Sequence, residues 1–145
     1  MPRTTEKYSP ELRDLIERAS LRLVEAHELT ANRVGSGQPS QFKVSIEPGL
    51  AVGEDFVNYR VSLTCQILSE DGSPIANVGA TVVGQYGVSG ESDIPEIAYH
   101  EFGPIAIQEI YLYARQHVYD LALRVGISGF VLEDIGSRLA GITSI

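Results

Sequence analysis

Between Gly103 and Ile135 the chain reads GPIAIQEIYLYARQHVYDLALRVGISGFVLEDI, and its apolar residues fall in two stripes rather than one. Ile107, Ile110, Ala114, Val118, Leu121 and Val125 recur at steps of three and four, which places them on one side of an α-helix. Ile105, Leu112, Tyr119 and Leu123 form a second stripe, roughly opposite the first. Gly103-Pro104 marks the expected helix start, because proline at the first helical position gives up no useful N–H. A helix with one wet side needs a single apolar stripe. Two stripes call for two apolar surfaces, and in a chain of 145 residues the second is expected to come from another copy.

Ahead of this segment the pattern changes period. Ser9-Pro10-Glu11 is a helix start with a capping serine, a proline and an acid in the first turn. The helix is expected to run to about Arg22, with Leu12, Leu15, Ile16 and Ala19 as its apolar side. Leu21 to Arg33 fits either a continuation or a strand, and a strand from about Leu23 is favoured. Gly35 to Ser40 is a loop by composition. Phe42, Val44 and Ile46 then alternate with Lys43, Ser45 and Glu47, and Pro48-Gly49 reads as a break. Val57, Tyr59, Val61, Leu63, Cys65 and Ile67 give the cleanest strand. Glu70-Asp71-Gly72-Ser73 predicts a tight turn into an antiparallel partner, Ile75 to Val88, with Ala76, Val78, Ala80 and Val82 on one face. Ile94 to Phe102 is read as a short separate helix, residues 129–135 as extended and 136–145 as a short tail.

No chemistry competes with these patterns. His27, His100 and His117 lack the spacing of a helical metal pair, and Cys65, the one cysteine, has no partner for a disulfide or a CxxC site. His117 reads as a surface histidine near Asp120, and Cys65 as a core residue. Glu91, Asp93, Glu96 and Glu101 suit a solvated acidic patch better than an acid–base pair, and Glu133-Asp134 a helix cap or a wet surface. Gly84, Gly87 and Gly90 are not followed by the Lys and Ser/Thr of a phosphate loop. Nineteen acids against 11 bases give a net charge of −8, which argues against nucleic acid and anionic membranes as partners. The N-terminus has no apolar core of a signal peptide and no run is long enough to span a membrane, so a soluble cytoplasmic protein of one domain is expected. Tyr86, Tyr99, Phe102, Tyr111, Tyr113, Tyr119 and Phe130 crowd the long helix and its flanks. Several are expected in the core, and the rest suggest an apolar groove for extended peptide.

The order of these elements resembles the SecB-like export chaperones. Leu112-Tyr113-Ala114-Arg115-Gln116-His117-Val118-Tyr119-Asp120 is similar to the family's aromatic-x-Tyr-Ala-Arg-x-x-apolar helix signature. Gly84-Gln85-Tyr86-Gly87-Val88 is similar to the glycine-aromatic end of its fourth strand. Val118-Tyr119-Asp120-Leu121 and Val131-Leu132-Glu133-Asp134-Ile135 look closest to mycobacterial SecB-like chaperones attached to toxin–antitoxin operons. The resemblance covers Phe42 to Ile135, and more weakly Leu23 to Ser40. It implies an α+β fold: a four-stranded antiparallel sheet with a long helix packed on one face, here with an added N-terminal helix. It also implies a homotetramer built as a dimer of dimers around the long helices, and an ATP-independent holdase without cofactor that wraps unfolded clients, an antitoxin among them. Export members hand clients to the SecA motor through acidic positions on the sheet. The matching strand-four position here is Ala80, and the chain ends without the family's long final helix, which puts SecA handover in doubt.

The expected site residues follow. Phe42, Phe130 and Leu132 are candidates for client binding. Leu112, Tyr119 and Leu123 are candidates for the oligomer interface. No catalytic residue and no metal ligand is assigned. The competing architecture is a cystatin-like ligand-binding domain or enzyme, which an interior of Phe, Val, Tyr, Leu, Cys and Ile disfavours.

Overall fold

The structure is a computed structural model that describes residues 8–90 and 93–129 together with Leu132. Ser9 sets the first helix by accepting the Leu12 N–H on its hydroxyl at 3.1 Å, with Pro10 next in line. Helix α1 spans Pro10–Arg18 and buries Leu12 and Leu15. Strand β1, Ala19–Arg33, follows with no intervening residue. The helix therefore stops short of the expected Arg22, because Ala19, Ser20 and Leu21 pair with Val88, Gly87 and Tyr86 of the fourth strand. Extending α1 would forfeit those ladder bonds.

Strands β2 (Gln41–Val52), β3 (Phe56–Leu68) and β4 (Pro74–Val88) complete one antiparallel sheet in the order β1-β4-β3-β2. β1 and β2 are thus the two edges. β2 runs in unbroken register from Gln41 opposite Leu68 to Val52 opposite Val57, straight through Pro48-Gly49. The expected break fails for a physical reason: on an edge strand a proline can turn its missing donor away from the ladder. β1 is less regular, with register shifts between Leu21 and Leu23 and between Ala26 and Glu28. Gly72, at φ +87°, makes the β3–β4 turn.

Helix α2 spans Glu96–Arg124, 29 residues, with Pro104 inside it. The expected short helix before Gly103 is its first two turns. Pro104 removes one N–H from the ladder. The helix continues because Ala98 and Phe102 before the proline and Ala106 and Ile107 after it are all buried. It ends on Gly126, at φ +80°. The Gly126 N–H donates to the Leu123 carbonyl at 3.1 Å and the Ile127 N–H to the Ala122 carbonyl at 2.8 Å, which satisfies the last carbonyls.

α2 crosses one face of the sheet from end to end. Near its start the Tyr59 hydroxyl donates to the Tyr99 carbonyl at 2.6 Å, and at its finish Arg33 Nη1 donates to the Val125 carbonyl at 2.8 Å. Between them lies one core, built from Val57, Tyr59, Val61, Leu63, Cys65 and Ile67 of β3, Ala76 to Tyr86 of β4, and Ile107, Ile110, Ala114 and Val118 of α2. At Gly84 the helix comes close enough that an added Cβ would lie 2.6 Å from Ile110 Cδ1. The opposite face of the sheet is polar, with Arg60, Thr64, Gln66 and Asn77 exposed and the Ser62 and Thr81 hydroxyls 3.0 Å apart.

Candidate functional site

The aromatic crowd resolves into three environments. Tyr59, Tyr86 and Phe102 pack together with ring centroids 5.3 to 5.7 Å apart and are buried, as is Tyr111, so these belong to the core rather than a groove. Their polar tips are used: Tyr59 donates to Tyr99 O, and the Tyr86 hydroxyl donates to a Glu109 carboxylate oxygen. Tyr99 and Tyr119 are half-buried and Tyr113 is exposed. Phe130 lies outside the described residues.

The titratable groups of this interior are unsuited to acid–base work near neutral pH. Burial drives the Tyr59 and Tyr86 phenols well above the ordinary tyrosine range, with Glu109 adding to the effect at Tyr86. Burial pushes the Cys65 thiol up to about 11, so it stays protonated and unreactive. Among the described residues no group of three His, Cys, Asp or Glu could hold a metal ion, and no helix is long and apolar enough to cross a membrane. Of the acidic patch, Glu101 accepts a hydrogen bond from the Ser9 hydroxyl at 3.0 Å, a structural use.

Two apolar surfaces remain. On the outward side of α2, Leu112 is 52% and Leu123 62% exposed, flanked by half-buried Ile105 and Tyr119. The expected interface residues thus share one side of one helix. Tyr119 has a second task, since its hydroxyl accepts the Leu132 N–H at 2.8 Å. The other surface is the helix-side margin of β2, where Phe42 is 39% and Val52 47% exposed, with Val44, Ile46 and Leu50 half-buried between them.

Leu132, expected beside Phe42 and Phe130 as a client contact, is only 4% exposed and packs into the core. Its N–H is bonded to the Tyr119 hydroxyl, and its side chain presents no surface. Val34, just past β1, and Val52 of the β2 margin are exposed apolar residues that the sequence patterns did not single out. One signal for the open β2 margin was present: Pro48 inside an alternating strand pattern marks an edge.

No protein-family model matches the chain, and no curated protein matches it by sequence. Among solved structures, the chain is similar to a SecB-like chaperone of Mycobacterium tuberculosis, determined in complex with a ChAD peptide from the HigA1 antitoxin. The two are 20% identical, the match covers 86% of this chain and 96% of that one, and the TM-score is 0.72. A protein of unknown function from Streptococcus agalactiae is 9% identical over 79% of this chain and 96% of its own, at a TM-score of 0.47, too distant to carry an argument. The fold is therefore SecB-like: a four-stranded antiparallel sheet, the long helix on one face, and an N-terminal helix.

Proposed function

We propose that this chain is an ATP-independent chaperone that holds unfolded or aggregation-prone polypeptides and assembles as a tetramer through the outward side of α2. The observation that carries the reading is the pair of exposed apolar surfaces, Leu112 with Leu123 and Phe42 with Val52, on a fold whose buried Tyr59 and Tyr86 hydroxyls are already engaged. The likeness to a SecB-like chaperone holding an antitoxin peptide supports a polypeptide client, and an antitoxin is the first client to try. Phe42 and Phe130 are the proposed client contacts. Leu112, Tyr119 and Leu123 are the proposed interface; burying a leucine there contributes about 1.5–3 kcal/mol, repeated by symmetry.

Transfer of clients to SecA has less support. Ala80 is 3% exposed and shares the helix-covered face with Val78 and Val82, so it offers no surface for a motor. A dedicated, cytoplasmic client-holding role suits the chain better than export. The interior also disfavours a cystatin-like enzyme, because the space between sheet and helix is filled with apolar side chains.

The test combines two measurements: native mass, and suppression of aggregation of a chemically unfolded client without nucleotide. A tetramer that suppresses aggregation at stoichiometric ratios supports the proposal. A monomer with no effect on aggregation overturns it.

A further inference from the structure

The two margins of the sheet differ, and the regular one has a readable code. Gly53 N–H donates to the Phe56 carbonyl at 2.8 Å and closes the β2–β3 hairpin. Counting back in unbroken register, Ala51, Gly49, Glu47, Ser45 and Lys43 exchange ladder bonds with β3. The residues between them turn their backbone groups outward. Pro48 falls in that outward set, as a residue without N–H must on an edge. Val44 and Ile46 therefore present N–H and C=O groups away from the sheet, and no described strand lies beyond β2. Their side chains lie on the helix side. Those of Lys43, Ser45 and Glu47 lie on the polar side and are exposed, and neither Lys43 nor Glu47 makes an ion pair among the described residues. On β1 the register shifts around Arg22 and His27 cut the pairing into shorter pieces, the longest being Glu28 to Arg33, against twelve residues in unbroken register on β2.

We infer that a client segment is held as a fifth strand, antiparallel to β2 at Val44 and Ile46, and that Glu47 and Lys43 select a basic–apolar–polar–apolar–acidic sequence. This rests on the client-binding function proposed above and specifies its geometry. An added strand must supply backbone donors and acceptors opposite Val44 and Ile46. Its apolar side chains then continue the helix-side margin of Phe42, Val44 and Ile46. Antiparallel pairing sets its first residue against Glu47 and its fifth against Lys43. Pro48 ends the run on one side, so the matching stretch is short. That length suits a peptide strand and falls well below the roughly 800 Å² per partner that a stable dimer needs.

The test uses a fluorescein-labelled peptide with Arg-Val-Ser-Val-Glu at its centre and the intact protein. In the inferred pairing both valine amides face β2 and the serine amide faces away. Methylating the two valine nitrogens should weaken binding about tenfold or more, because two hydrogen bonds are lost. Methylating the serine nitrogen should change it by less than about twofold. Equal effects, or none, overturn strand addition in favour of a grip on side chains alone. Exchanging Arg and Glu in the peptide should weaken binding, and the double variant Lys43→Glu/Glu47→Lys should restore it. Indifference to the exchange overturns the charge code. Ile46→Pro removes one outward N–H and spares the β2–β3 ladder, so it should weaken an unfolded client with native mass unchanged. If an unfolded client binds the parent but Ile46→Pro has no effect, strand addition alone fails. Binding of neither client nor peptide defeats the proposed function itself. A fall in native mass for Ile46→Pro shows that a second copy occupies the edge, and overturns the inference.

Discussion

Ile107, Ile110, Ala114 and Val118, on the inward side of α2, are fully buried, whereas Leu112 and Leu123 on the outward side keep 52% and 62% of their surface in solvent. The inward side is also built differently. Ala98, Ala106, Ala114 and Ala122 recur along it, and Gly84 of β4 leaves room for the Ile110 side chain between them. The outward side carries larger residues, Leu112 and Leu123, that no described residue covers fully. The same apolar character is used differently: inward it contributes folding free energy, and outward it is what the proposed assembly would bury.

The sharpest way to break this contrast is to truncate each side in turn. Ile107→Ala should destabilise the fold by about 2–5 kcal/mol, since it opens a cavity in a packed core, and chemical denaturation checks it. A loss below about 1 kcal/mol would mean that the inward side is not the folding side.

Next in size is an alkaline effect confined to the inward side. The folded Cys65 thiol titrates at about 11, up from an ordinary 9.0, because burial disfavours the thiolate. Its contribution is fully present below pH 9, where both states are protonated. It is lost as pH rises toward 11, where the unfolded chain alone deprotonates freely. A two-unit difference corresponds to about 2–3 kcal/mol. Denaturant midpoints at pH 8 and pH 10.5 should differ, and the Cys65→Ala variant should lose part of that slope.

Smaller again is Tyr86→Phe, which removes the phenol bonded to Glu109 and leaves the ring in place. Glu109 is exposed and regains water, so the expected cost is about 1 kcal/mol. The outward pair should do least to folding. Leu112→Ser with Leu123→Ser should shift the stability of the separated chain by no more than about 0.5 kcal/mol. The same variant should lower the native mass, as light scattering would report. An unchanged mass would show that this side of α2 is not the joint.

The sequence patterns exposed the contrast because the two stripes of α2 differ by half a helical turn, a signal that needs no tertiary information. β3 and β4 were legible for a related reason: Val57 to Ile67 alternates cleanly, and Gly72 marks the turn. The failures lie where neighbours decide. Pro104 looks like a helix start locally, yet the buried Phe102 and Ala98 carry the helix through it. Pro48-Gly49 looks like a break, yet β2 continues because no described strand pairs with its outer side. α1 ends at Arg18 because β4 offers Ala19 a partner that α1 does not see. At the candidate site, the outward Leu112 and Leu123 follow from periodicity alone. The burial of Leu132 depends on Tyr119, 13 positions away, and leaves no local trace.

The join between α1 and β1 has a mechanical consequence. Arg18 and Ala19 are consecutive, so the helix has no slack with which to swing. Leu12 and Leu15 fix α1 in the core, the Ser9 hydroxyl reaches Glu101 on α2, and the Ser89 N–H donates to the Arg18 carbonyl at 3.0 Å. Lifting α1 away therefore peels the first rungs of β1 from β4, beginning with Ala19 and Val88. α1 works as a crank on the sheet rather than as a flap on a hinge, and a load applied to the chain before Tyr8 is delivered to an edge strand.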